Sequence, residues 1–313
     1  MSRIHDALKK AEQERSAAQI AETAATEAPP IPRSSPIETP IAVATDEVRV
    51  GASEPPSLFA SDGFLRFDDL RARCAHPRWQ LDPNANVFRT GTSSLRGAEE
   101  FRTLRSRLYQ LRANQQVRTL LITSAIPAEG KTFVASNLAH AIVRQPDRRV
   151  LLIDADLRCA RLHLPFGAPF SPGLTDYLRG EADEVAVIQH GQDGNLCLIA
   201  GGNEVANPSE LLSNGRLKTL LDRVTPVFDW VIFDSAPCLP VADSTILADY
   251  CDAVVLVVRA GVTPSDAAQR ALQELQSRNI AGVVLNSVEE TLTYGAYDYQ
   301  TYGYIREPER KPA

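Results

Sequence analysis

The chain has 313 residues, 44% of them apolar and 23% charged, and a formal net charge of −6. That composition describes a globular protein with enough apolar material for a core, and the acidic balance excludes a broad nucleic-acid-binding surface, which needs cations to neutralise phosphates. The five cysteines (Cys74, Cys159, Cys197, Cys238, Cys251) contain no CxxC pair, which excludes a patterned zinc site or disulfide framework.

The chain opens on MSRIHDALKKAEQERS. Ile4, Leu8 and Ala11 recur at helical spacing, so residues 1–16 read as a short amphipathic helix with no apolar run of a secretory signal. Residues 17–60 carry prolines at 29, 30, 32, 36, 40, 55 and 56 among Ala, Thr and Glu. Such a segment buries too little apolar surface to offset chain entropy. The composition therefore places a tether without fixed structure over 17–60 and leaves 61–92 ambiguous, so that 17–92 as a whole is a disordered or poorly defined linker. Within it, Phe64, Leu65, Phe67, Leu70 and Trp79 are apolar enough to pack on a neighbouring surface.

From Ser93 the pattern changes. SSLRGAEEFRTLRSRLYQLRAN reads as a helix with a serine cap. Strand-like runs follow at 118–123, 149–153, 195–199, 229–234, 253–258 and 280–286, with helices expected over 131–144, 208–223, 242–250 and 264–278. Cys159, Cys197, Cys238 and Cys251 lie in or beside these apolar runs, as small core residues would in a reducing cytoplasm. Near-continuous apolar strands separated by helices predict an α/β domain over 93–290, a mostly parallel sheet covered on both faces. Such sheets bind ligands at the carboxyl ends of their strands. Residues 291–313 form a polar tail, and nowhere does the chain reach the eighteen or more apolar residues of a membrane span.

The chemistry concentrates at those carboxyl ends. From Ala125 to Thr132 the sequence AIPAEGKT is a P-loop pattern with Ala in place of the first Gly, set between an expected strand and helix. A tight turn at a helix start aims several N–H groups at one point, where the helix dipole also favours an anion. Ala125, Pro127, Ala128, Glu129, Gly130, Lys131, Thr132 and Phe133 are therefore candidate nucleotide-binding residues. Lys131 offers a point charge to the β/γ-phosphates of ATP and Thr132 a hydroxyl to Mg²⁺. LLIDADLR ends the second strand with Asp154 and Asp156, and DWVIFD ends another with Asp234. Magnesium takes few protein ligands and several waters, which makes Thr132, Asp156 and Asp234 a sensible candidate set.

SAIPAEGKT, LLIDADLR and DWVIFDSAP, in this order, resemble the Walker A, A′ and B motifs of the bacterial tyrosine kinases, a family of exopolysaccharide- and capsule-associated autokinases. The likeness extends through GGNEVANPSELLSN, VADSTILADYCDAVVLVVRAGVTP and GVVLN, covering about two-thirds of the chain. It implies a P-loop NTPase-type fold and autophosphorylation using ATP and Mg²⁺. It also implies a role for Asp154 as the base that accepts the tyrosine proton, beside Lys131 and Asp156. Glu99, Arg102 and Arg105, spaced E-x-x-R-x-x-R along one helix face, correspond to the family's contacts in a ring-shaped homo-oligomer; they also suit plain surface ion pairs. Tyr294, Tyr297, Tyr299, Tyr302 and Tyr304 are five of the eight tyrosines. In the family such a cluster is the autophosphorylation site, donated to a neighbouring subunit. The activating partner is then a separate transmembrane protein of the polysaccharide co-polymerase type, which would recruit a cytoplasmic kinase to the inner face of the plasma membrane.

Two departures bear on the reading. Septum-site and chromosome-partition ATPases carry a signature Lys where this chain has Ile126, which favours the kinase branch. After Asp234 the chain reads SAPCLP where the family more often has a Pro-Pro pair. A membrane-positioning switch ATPase, or a nucleotide-sensing scaffold of polysaccharide export, are the two alternatives that share these motifs.

Overall fold

The computed structural model describes residues 66–88, 95–192 and 194–288. The expected helix over 1–16, the serine cap at 93–94 and the tail tyrosines lie outside them. Among the described residues no helix is long and apolar enough to cross a membrane.

All six expected strands form, each ending within a residue of its expected limits. They are β1 (Thr119–Ser124), β2 (Arg149–Asp154), β4 (Asn195–Ile199), β5 (Trp230–Asp234), β6 (Ala253–Arg259) and β7 (Ile280–Asn286). A seventh, β3 (Ile188–His190), was not expected; three residues are too few to show a period. The sheet runs β3-β4-β2-β5-β1-β6-β7, parallel throughout except for β3, which pairs antiparallel with β4 at the edge.

Alternation along the strands divides the core into two layers. In β1, Leu121 faces one layer while Leu120 and Ile122 face the other. The first layer is closed by α5 (Leu174–Arg179), α8 (Arg216–Val224), α9 (Asp243–Ala248) and α10 (Ser265–Glu274) through Leu174, Leu217, Leu220, Leu247 and Ala271. The second is closed by α2 (Leu95–Asn114) and α3 (Lys131–Val143), through Phe101, Leu108, Val134, Leu138 and Ile142. Both faces of β1, β2 and β5 are buried along most of their length, which is why these segments read as continuous apolar runs.

Three expectations are corrected. The single helix over 208–223 is two, α7 (Pro208–Leu212) and α8. The break falls at Ser213, Asn214 and Gly215, where Gly215 takes a φ of 81° that ends one helix and starts the next. Cys159 is exposed and Cys251 half-buried, because both lie just outside an apolar strand rather than in it.

The third correction concerns the poorly defined linker, in which residues 66–88 are part of the packed core. Residues Phe67–Arg73 form helix α1, with Phe67 and Leu70 buried. Phe67 meets the edge of Phe228 at 5.7 Å, and the Arg149 guanidinium sits 4.5 Å over its ring. Further on, Ala75 bridges the edge strand β3, its carbonyl accepting from His190 N at 2.8 Å, and Trp79 packs edge-on against Phe166. Proline- and charge-rich surroundings conceal this, because only one apolar residue per turn reaches the core.

Leu70 is fully buried, so Leu70→Ala should destabilise the domain by ~2–4 kcal/mol. Urea unfolding followed by the signal of Trp230 and Trp79 checks this; an unchanged midpoint would return residues 66–88 to the tether.

Candidate active site

The loop between β1 and α3 is built by backbone necessity. Gly130 has a φ of 94° and caps α3; a Cβ there would lie 2.0 Å from the Asn286 amide nitrogen, so only glycine fits. Ala128 takes a φ of 64°, a left-handed conformation that costs an L-residue roughly 1–2 kcal/mol. Ala125 keeps an ordinary backbone and is wholly buried, which explains why alanine serves where a P-loop usually starts with glycine. Pro127 and Ala128 are exposed at the crown of the loop.

Glu129 does something the sequence did not announce. Its carboxylate is 1% exposed and turns inward, accepting from Ile126 N at 2.7 Å through one oxygen and from the Thr263 hydroxyl through the other. Its main-chain carbonyl accepts from Asn286 Nδ2 at 2.9 Å, and that of Ala128 from Arg259 Nη1 at 3.3 Å. The loop is thereby tied to the carboxyl ends of β6 and β7. As a nucleotide-binding candidate Glu129 contributes its main chain, while its side chain is a staple. Phe133, the last candidate, points away from the loop to meet the edge of Phe101 at 5.9 Å.

The sheet register then places the acids. Asp154 and Asp234 stand opposite each other at the ends of β2 and β5, and Asp234 stands opposite Ile122 of β1. Thr132 Oγ1 donates to Asp234 Oδ2 at 2.6 Å, so the Walker A hydroxyl and the Walker B carboxylate are in direct contact. The other oxygen, Asp234 Oδ1, is buried with no hydrogen-bond partner. Asp154 is fully buried; its oxygens accept from Leu162 N at 2.9 Å and Asp156 N at 3.3 Å. Asp156 is half-buried, with one oxygen accepting from Cys159 N at 3.1 Å.

Burial raises the proton affinity of both strand-end acids. It pushes Asp234 up to about 7, opposed by the Thr132 hydrogen bond and the Lys131 charge. It lifts Asp154 well above the carboxylate range, with the charge of Asp234 the next contribution. Lys131, 8% exposed at the first turn of α3, is the one cation among these causes. Two adjoining buried carboxylates, Asp154 and Asp234, outnumber the single Lys131 ammonium, and Asp234 Oδ1 is a buried oxygen with no hydrogen-bond partner. Both fit a divalent cation. Among the described residues no three His, Cys, Asp or Glu side chains converge to cage a metal. A cation held here takes one or two protein oxygens and completes its shell with water and phosphate, which is magnesium's habit.

The E-x-x-R-x-x-R residues lie away from this cluster. Arg102 pairs with Glu99 one turn earlier, both side chains nearly half exposed. Arg105 Nη1 donates to the Ala141 carbonyl at 2.6 Å, capping the last turn of α3. All three are therefore engaged within their own chain, Glu99 and Arg102 with each other at the exposed surface and Arg105 with the end of α3.

A raised carboxylate pKa destabilises the fold at high pH. The folded state holds the Asp234 proton up to about pH 7, whereas the unfolded chain releases it near 3.9, so stability falls as pH rises across that window. Asp234→Asn should therefore raise the melting temperature of nucleotide-free protein at pH 8 and change it little at pH 4, as thermal scans at the two values can test.

No protein-family model matches the chain. It is 34% identical to the tyrosine-protein kinase YwqD of Bacillus subtilis (strain 168) over 204 residues, 64% of this chain and 86% of that protein. It is 37% identical to the tyrosine-protein kinase etk of Escherichia coli (strain K12) over 203 residues, 64% of this chain but only 28% of that much longer protein. Among solved structures, the kinase domain of the Escherichia coli tyrosine kinase ETK superposes with a TM-score of 0.64 at 32% identity, covering 74% of this chain and 93% of that one.

Proposed function

The chain belongs to the family of bacterial tyrosine-protein kinases, and on that premise we propose that it is an ATP-dependent protein-tyrosine autokinase acting in exopolysaccharide or capsule synthesis and export. The observation that carries the proposal is the contact of Thr132 with Asp234, beside Lys131 and the orphaned Asp234 Oδ1. It joins the P-loop to a buried carboxylate that has one oxygen without a hydrogen-bond partner.

In this mechanism the N–H groups at the start of α3 and the Lys131 ammonium orient the phosphates of ATP. Thr132 and Asp234, with Asp156 at the more open side, hold magnesium, which when bound neutralises charge on the transferring phosphoryl group. The acceptor is a tyrosine hydroxyl whose proton passes to Asp154. The step requires Asp154 in its ionised form, which burial beside Asp234 makes a stronger base than a solvated carboxylate. Both its oxygens hold main-chain N–H groups in the nucleotide-free chain, so taking the proton exchanges one of these hydrogen bonds for the tyrosine hydroxyl. Phosphoryl transfer needs mainly positioning and charge neutralisation, and these residues supply both.

We propose as acceptors Tyr294, Tyr297, Tyr299, Tyr302 and Tyr304 of another copy. The tail departs from Val288, two residues past Asn286, which itself contacts the P-loop. Tyr294 lies six positions beyond Val288, a reach of at most about 21 Å. The tail therefore starts on the active-site end of the sheet. The exposed stretch of α2 bearing Glu99 and Arg102 is proposed as a face of the homo-oligomer. Each phosphotyrosine adds about −1.5 to −2 charges, so a loaded tail is repelled by an acidic site mouth and the oligomer should dissociate. The transmembrane activator and recruitment to the inner membrane face belong to the same proposal.

A mixing experiment tests the chemistry. Lys131→Ala keeps the acceptors but loses the phosphate ligand; a variant with the five tail tyrosines changed to Phe keeps the site but loses the acceptors. Incubated together with Mg-ATP, the Lys131→Ala chain should acquire phosphate on its tail peptide by mass spectrometry, while neither does so alone. A bare tail in the mixture and in wild type, with ATP still hydrolysed, would indicate a switch ATPase. Full phosphorylation of wild type should also reduce its mass in solution by light scattering, and an unchanged mass would refute the charge-driven dissociation.

A further inference from the structure

The turn that carries Asp156 is fastened by a residue with no place in the mechanism above. Arg158, two positions after Asp156, reaches back to Asp243 at the start of α9 in a bidentate pair, Nε to Oδ2 at 2.7 Å and Nη2 to Oδ1 at 3.1 Å. Nη2 also donates to Ser209 Oγ at 3.0 Å, and the Ser209 hydroxyl in turn donates to Asp243 Oδ1. Asp243 is fully buried while the Arg158 side chain is 40% exposed, so the arginine brings a charge-matched, bidentate partner to a carboxylate shut off from water. One guanidinium thus joins three segments that are far apart in sequence: the A′ turn, the start of α7 and the helix that follows the Walker B strand.

The far end of this clamp is fixed. Next to Asp243, Ser244 donates to the Ala236 carbonyl and shares hydrogen bonds with Thr123 and Ser235, both at 3.1 Å. These residues lie at the ends of β1 and β5, on either side of Asp234. At the near end, Asp156 Oδ1 accepts from Cys159 N, which makes 156–159 a tight turn. A displacement of Arg158 is therefore passed to Asp156. A planar, bidentate fork defines a direction as well as a distance, which a point charge does not.

We propose that Arg158, held by Asp243 and Ser209, is a positioning residue that sets Asp156 at the right distance from Asp234 for both to serve one magnesium ion. The proposal rests on the magnesium-nucleotide reading of the site and is independent of whether the phosphoryl acceptor is a tyrosine. Partners that orient a metal's ligands typically change metal affinity or activity by about 10–100-fold when removed.

The test is equilibrium binding of a fluorescent ADP analogue to the full chain, titrated with Mg²⁺, and repeated without it. In Arg158→Ala the Mg²⁺ midpoint should rise by roughly tenfold or more, while affinity measured without Mg²⁺ stays within about twofold of wild type. Arg158→Lys, which keeps the charge but loses the fork, should fall between them, and Ser209→Ala should shift the midpoint least. A midpoint unmoved in Arg158→Ala overturns the proposal, as does an equal loss of affinity with and without Mg²⁺, which would make the clamp purely structural. Should Arg158→Ala not fold, Arg158→Lys decides by the same two numbers. Wild type that binds the nucleotide with no response to Mg²⁺ would instead refute the reading on which the proposal rests.

Discussion

Two carboxylates at the ends of adjacent parallel strands, in register and out of reach of water, are what the rest of this structure answers to. Asp154 and Asp234 cannot both ionise at neutral pH in that setting without compensation. The fold supplies part of it: the Thr132 hydroxyl and Lys131 for Asp234, and the N–H groups of Leu162 and Asp156 for Asp154. It withholds the remainder, leaving Asp234 Oδ1 with nothing to bind. On the proposed function, a fully satisfied pair would make a more stable protein and a poorer magnesium site. The unmet demand lets a bound cation contribute binding energy at the point where phosphoryl charge has to be neutralised.

Keeping such a cluster in shape requires rigid ties on either side, and the sheet order decides where they go. β1 lies between β5 and β6, so the loop that leaves it has the acids on one flank and the ends of β6 and β7 on the other. On the second flank Glu129, Thr263, Arg259 and Asn286 bind the loop through main-chain and side-chain contacts. These ties also explain how Ala128 can persist at a positive φ: the residues around it are over-determined. In the proposed function the loop would therefore meet a nucleotide already ordered, with little further ordering to oppose binding.

How much of this was legible depended on whether a residue's role was set by its chain neighbours. Lys131, Thr132, Asp154 and Asp234 could be read because a continuous apolar strand fixes its own carboxyl end, and the next residues inherit that position. The six long strands were legible for the same reason, with both faces buried and hence no polar interruption. Glu129 was read only as one more P-loop residue, since its partner Thr263 lies 134 positions away. Arg158 and Asp243, 85 positions apart, gave no sign of each other. The α1 segment was hidden by composition: only Phe67 and Leu70 of its seven residues are buried. The break between α7 and α8 was visible in Asn214 and Gly215, but the apolar period on either side overrode it.

The proposed reaction places the substrate on the kinase's own chain, and the arrangement bears on how one site could serve it. The staple and the tail share β7: Asn286 holds the P-loop, and the chain leaves the described structure at Val288, two residues on. Anything that pulls on the tail acts on a strand whose outer face is apolar and exposed at Val283 and Leu285, and which is paired to the sheet through β6 alone. An edge strand held on one side gives way more readily than one held on both. The contact most directly exposed to such a pull is the Asn286 amide on Glu129, at the residue before Gly130 and Lys131. In the proposed reaction, nucleotide grip and tail engagement would meet at that one hydrogen bond, and by linkage whichever of them strengthened the contact would favour the other.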